Sequence, residues 1–123
     1  MQSKTSEVQA IYLPLSTHEQ FEAMYAPTAD QEKPSYPILI NFSADWCGPC
    51  KRLDWEFIRE EFPDLPIYKC NIDENKYTPG FCGVRSIPAC IMLKGPKQVE
   101  GPVVLADTAK LASWISTTLR KTK

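Results

Sequence analysis

Residues 46–50 read Trp-Cys-Gly-Pro-Cys, directly after the apolar run Ile38, Leu39, Ile40 and before a segment with helical periodicity. That placement constrains the chain to a strand that feeds a helix through a short turn carrying two thiols. A helix N-terminus has backbone N–H groups without carbonyl partners and a partial positive charge, so a cysteine there is favoured as thiolate. Cys47 holds that position, and Cys50 follows one turn later on the same face. Two thiols so spaced make a two-electron dithiol/disulfide couple. Two other readings stay open on spacing alone. A zinc site needs four ligands, but Cys70, Cys82 and Cys90 are widely separated and His18 is the sole histidine. An inert buried pair is the other, since free cysteine packs as a small hydrophobe. Pro49 argues against it, because proline is tolerated in a first helical turn and fits a site built at a helix start.

The 123 residues, 43% hydrophobic and 24% charged, suit one domain spanning 1–123 with a modest core. Fourteen basic residues against fifteen acidic leave no charge excess to attract nucleic acid or an anionic membrane. No apolar stretch approaches the ~20 residues of a membrane span. Residues 1–9 are polar and read as a flexible tail without the apolar segment of a signal peptide, and Glu7 with no Arg fits a transit peptide poorly. Five cysteines, an odd number in no regular framework, suit a reducing compartment. A cytoplasmic location is expected, with a mitochondrial one as the alternative, and a monomer is expected.

Along the chain, residues 10–15 form a short strand candidate, and Ser16 to Glu19 reads as a capping box opening a helix over 17–25. His18, in its first turn, is expected at the solvated surface. Residues 26–37 hold three prolines and read as an exposed loop. Strands are expected over 38–42, 67–72, 89–93 and around 99–104, with a turn at 95–97. Leu53, Phe57, Ile58 and Phe62 recur at helical spacing over 50–62, and 73–80 reads as a polar, turn-rich stretch. Leu111, Trp114, Ile115, Thr118 and Leu119 form an amphipathic stripe that closes the domain, with Trp114 in the core.

Phe42, Ala44 and Asp45 lead into Trp46-Cys47-Gly48-Pro49-Cys50-Lys51, and two further blocks follow, Lys69, Asn71, Ile72 and Asp73, then Val84 through Pro88. On these blocks the chain resembles a thioredoxin from about Ala10 to Leu119. The resemblance implies an α/β thioredoxin fold, a central mixed sheet with helices on both faces, and an active site at the end of the second family strand. It implies an exposed nucleophile at Cys47, a buried resolving thiol at Cys50, and a cis-proline at Pro88 facing them. Ile87 would pair through its backbone with an extended substrate segment, and Trp46 would flank the same groove. Gly48, Pro49, Lys51, Asn41 and Lys69 would support the site, Asn41 and Lys69 lying near each other beneath Cys50.

The implied function is thiol–disulfide exchange that reduces disulfides in protein partners. It needs no metal or other cofactor, and its electrons come from a separate reductase or a small thiol. A redox-sensitive partner-binding module is the alternative. The chain departs from the family pattern at Asn41 (usually aspartate), Ser43 (tryptophan), Trp55 (a helix-kinking proline), Ala89 (threonine) and Val104 (glycine). Asn41 lacks the carboxylate that would take the resolving thiol's proton, and Trp55 implies a straighter helix. Cys70 and Cys90 lie in apolar strand patterns and are expected to be buried. Cys82, in the loop before Pro88, is expected to be an exposed, oxidisable and regulatory thiol.

Overall fold

A computed structural model describes residues 11–121; the expected tail at 1–9 lies outside them. The strands are β1 (Leu13–Pro14), β2 (Ile38–Ser43), β3 (Ile67–Asn71), β4 (Ala89–Gly95) and β5 (Gln98–Val103). They form one mixed sheet in the order β1-β3-β2-β4-β5. β1 and β2 run parallel to β3, while β4 is antiparallel to β2 and to β5. The helices are α1 (His18–Tyr25), α2 (Trp55–Glu61), α3 (Tyr77–Phe81) and α4 (Thr108–Lys121).

β2 is buried along its whole length because both faces of the sheet are covered, as its continuous apolar run requires. Side chains alternate along it. Ile38, Ile40 and Phe42 pack with Phe21 and Met24 of α1, whereas Leu39 packs on the other face with Ile58 of α2 and Leu111 and Ile115 of α4. Asn41 and Ser43 share the Leu39 face by the same alternation. β5 lies at an edge, where Gly101 and Pro102 sit in an irregularity of the ladder. Gly101 has φ +102°, and a Cβ there would lie 2.9 Å from the Cys90 carbonyl, so glycine is required for β4 and β5 to approach.

Several expectations need correction. The capping box is one residue late: Thr17 Oγ1 accepts from the Gln20 N–H, and Gln20 Oε1 accepts from the N–H groups of Thr17 and Ser16. His18 is not a solvated surface residue. Its ring is four-fifths buried, bonded to Thr78 Oγ1 at 2.8 Å and Glu22 at 3.0 Å, and packed on Tyr77 and Phe81, so it joins α1 to α3. The stretch 73–80 is not turn throughout: α3 begins within it at Tyr77. There Asn75 Oδ1 accepts from the Thr78 N–H, and Pro79 is accommodated because first-turn N–H groups lack intrahelical partners.

The largest correction concerns the expected straight helix over 50–62. It is two pieces, a 3₁₀ turn over Pro49–Arg52 and then α2, separated by Leu53 in an extended conformation (φ −76°, ψ 130°). Asp54 causes the break. Its Oδ1 caps the Phe57 N–H at 3.1 Å, and its own N–H donates to Thr108 Oγ1 at 3.0 Å, which offers the backbone an alternative to continued helix. Trp55 occupies the first position of α2, where a proline would be equally at home, so its identity does not decide whether the helix bends.

Candidate active site

The site begins where β2 ends. Ala44 is buried, the Cys47 N–H donates to the Ala44 carbonyl at 3.1 Å, and Pro49 opens the 3₁₀ turn. Cys47 and Cys50 are joined as a disulfide with Cα atoms 5.3 Å apart. The Cys50 N–H donates to Cys47 Sγ at 3.1 Å, a contact that in the reduced protein favours the thiolate of Cys47.

Cys47, expected to be exposed, is instead 3% accessible against 7% for Cys50. The reason is its packing: both cysteines sit in an apolar patch with Ala44, Ile72 and Ile87. The Ile87–Pro88 bond is cis, as expected. Trp46 is 65% exposed, and its Nε1–H donates to Asp73 Oδ2 at 2.8 Å, which holds the indole beside the pair. On that side lies a groove of about 340 Å³ lined by Trp46, Ile72, Val84, Arg85 and Ile87, among others. Gly48 is exposed, and a Cβ there would meet nothing within 4 Å, so the surface above the pair is open.

Behind the pair is a second recess of about 470 Å³, lined by residues that include Asn41, Ser43, Cys50, Lys69, Tyr12 and Trp55, with Lys51 and Asp45 also in its wall. Asn41 and Lys69 are ladder partners, which brings together the two residues expected beneath Cys50. Lys69 Nζ donates to the Tyr12 hydroxyl at 3.5 Å and lies 5.1 Å from that ring's centroid, while Tyr12 meets Trp55 edge-on. Tyr12 and Trp55 thus belong to the site's surroundings although neither was assigned to the site from sequence. The sequence signal for Tyr12 is its place beside a strand that pairs with β3.

Cys70 and Cys90 are buried as expected, and desolvation pushes each thiol up to about 12. Cys82 is half-buried against the α1 side of the sheet rather than exposed, and burial pushes it up to about 12 as well. A thiol so shifted is a poor nucleophile at neutral pH, contrary to the expectation of a readily oxidised one.

The thioredoxin family model matches residues 16–117. The chain belongs to the thioredoxin family. Thioredoxin of Rickettsia typhi is 40% identical over 83 residues, covering 65% of this chain and 79% of that protein. Thioredoxin of Acidithiobacillus ferridurans is 38% identical over 93 residues, covering 73% and 86%. The crystal structure of thioredoxin from Trypanosoma brucei brucei superposes with a TM-score of 0.73 at 25% identity, covering 89% of this chain and 91% of that one. With the Cys47–Cys50 pair at the family's motif, this thioredoxin-family chain is a thiol–disulfide oxidoreductase, an enzyme whose substrates contain disulfides. The reading as a binding module without turnover is not favoured. No helix among the described residues is long and apolar enough to cross a membrane.

Proposed function

We propose that Cys47 is the attacking thiolate and Cys50 the resolving thiol of a protein disulfide reductase that works as a cytoplasmic monomer. The observation that carries the assignment is the Cys50 N–H directed at Cys47 Sγ, which stabilises negative charge on that sulfur. Cys47 thiolate attacks one sulfur of the substrate disulfide, forming a mixed disulfide and releasing the first substrate thiolate. Cys50 then gives up its proton and attacks Cys47 Sγ. The Cys47–Cys50 bond forms, the second substrate thiolate leaves, and two electrons have passed to the substrate. A separate reductase or small thiol returns the pair to the dithiol. On this reading the chain carries electrons between thiol couples.

The groove between Trp46 and Ile87 supports the reading of where a partner lies. An extended segment there would meet the backbone before Pro88, with the Trp46 ring along its side, and the bare surface at Gly48 leaves room for its backbone. Pro49 opens the turn that carries Cys50, Lys51 lies in the wall of the recess behind the pair, and the whole chain acts as one domain. The test is trapping. Cys50→Ser retains attack but not resolution and should accumulate mixed disulfides with a peptide disulfide, whereas Cys47→Ser should form none. Alkylation of the reduced protein at mildly acidic pH should modify Cys47 first; preferential modification of Cys50 would reverse the roles.

A further inference from the structure

The groove beside the active pair carries a cation that no carboxylate of the described residues meets. Trp46, Ile72, Pro79, Val84, Ser86 and Ile87 line it without charge, and Arg85 completes the lining. Arg85 is exposed, and its guanidinium has no ion pair among the described residues. The carboxylate in this part of the site, Asp73, is engaged by the indole: its Oδ2 accepts from Trp46 Nε1–H at 2.8 Å. Lys51 and Arg52 follow Cys50 on the 3₁₀ turn and do not line the groove. A guanidinium presents five N–H donors in a planar fork that fits the two oxygens of a carboxylate. The groove therefore offers an acidic side chain one specific partner on an otherwise uncharged wall.

Position relative to the chemistry follows from the chain. Ile87 packs against Cys47 and Cys50, and Arg85 stands two residues earlier, no more than ~7 Å along the backbone. An extended partner segment covers the same distance in two residues, so a side chain facing Arg85 belongs two or three positions from the cysteine that meets Cys47. A segment seated there excludes water from the wall, which strengthens an ion pair relative to one on open surface. The formal net charge of the chain is −1, so its overall field does not draw in acidic partners, and a preference for them has to arise from local pairing. We propose that Arg85 is a specificity residue that selects disulfides with an aspartate or glutamate two or three residues from the cysteine attacked by Cys47. This rests on the assignment of Cys47 as the attacking thiolate and on the groove as the partner's seat. The pair forms on docking and persists in the mixed disulfide, so it acts on binding rather than on the reacting sulfurs.

The experiment uses peptides with a single cysteine capped as the pyridyl disulfide, with glutamate, glutamine or lysine placed in turn at each position from three before to three after that cysteine. Attack by the reduced protein on the peptide sulfur at pH 7 releases pyridine-2-thione. Each rate is divided by the same peptide's rate with mercaptoethanol, which removes differences in intrinsic reactivity. At two or three residues from the cysteine, on one side of it, the expected order is glutamate, then glutamine, then lysine. Glutamate should lead glutamine by about fivefold at low salt, through half-saturation rather than the limiting rate, and the lead should shrink as salt rises. The glutamate-to-glutamine ratio should fall to about one in Arg85→Gln, Arg85→Glu should prefer the lysine peptide, and Arg52→Gln should keep the wild-type order. Equal normalised rates for the three peptides at every position overturn the proposal, as does a glutamate preference that survives in Arg85→Gln. Failure of the underlying thiol assignment looks different, because no peptide of any charge would then form a mixed disulfide through Cys47.

Discussion

Asn41→Asp tests the energetics of the recess behind Cys50. The substitution keeps the shape of the side chain and places a carboxylate at a position 2% exposed, against Lys69 across the ladder. Burial of a carboxyl raises its pKa by up to ~3–5 units, and an opposite charge close by lowers it by ~1–3. Because the recess opens to solvent, a net rise of about 2 units above the unfolded value of ~3.9 is expected. The folded state then holds its proton more tightly than the unfolded state, so the carboxyl itself costs no stability below pH ~4. The penalty grows as pH rises to about 6 and levels off beyond it. At 1.36 kcal/mol per unit the plateau loss is about 2.7 kcal/mol, which for a chain this size lowers Tm by roughly 10 °C.

Denaturant midpoints of oxidised wild type and Asn41→Asp, measured from pH 4 to 9, read this directly. Resolution should move the other way, faster in the mutant above pH 6, where the carboxylate is free to accept the Cys50 proton. A stability loss equal at pH 4 and pH 8 would mean that the carboxylate is not desolvated, and a mutant no faster at any pH would remove proton transfer at this position from the resolving step.

Native reduced protein should react with a maleimide or aromatic disulfide at Cys47 first. Cys82, its thiol pushed up to about 12, should label on the order of a thousandfold more slowly at pH 7 than an ordinary exposed cysteine, with a rate still climbing about tenfold per pH unit at pH 9; mass mapping of the adducts checks both. Asp54→Ala removes the cap of α2 and should cost about 1 kcal/mol in a denaturant titration, with Asp54→Asn recovering most of it; equal stability of all three would mean that the break at Leu53 is imposed from elsewhere.

The strands were legible because their burial is written in local patterns. The run at Ile38–Phe42 and the apolar blocks at 67–72 and 89–93 each became a strand within two residues of the expected limits. The motif placed the pair, and the resemblance placed Pro88 and the Asn41–Lys69 neighbourhood. What was not legible depended on contacts across the fold. The Asp54 cap is a local signal, but it is reinforced by Thr108, 54 residues away, and competes with a helical apolar pattern that runs straight through it. His18 looked like a surface residue because its partners Thr78, Tyr77 and Phe81 lie on a helix hidden behind a Pro-Gly pair. Cys82 looked exposed because it lies between two glycines, Gly80 and Gly83, in the loop before Pro88, while its burial comes from packing on the core on the α1 side of the sheet.

The break at Leu53 also explains why the recess exists. In an uninterrupted helix, Trp55 would follow Cys50 by five residues, about 500° of rotation, and so project roughly 140° away from it. Instead Leu53 resets the direction, Asp54 starts a new helix, and Trp55 lines the same recess as Cys50, edge-on to Tyr12. Tyr12 in turn sits under Lys69, so the aromatic wall holds the cation on the strand beside Asn41. The alternation of β2 supplies the floor, sending Asn41 and Ser43 to this side while Phe42 seals the other face. The helix break, the aromatic pair and the amide–lysine ladder pair therefore make up one structural unit around the resolving thiol. A change at Asp54 that rejoined the two helical pieces would rotate Trp55 out of the wall and open the recess to bulk water.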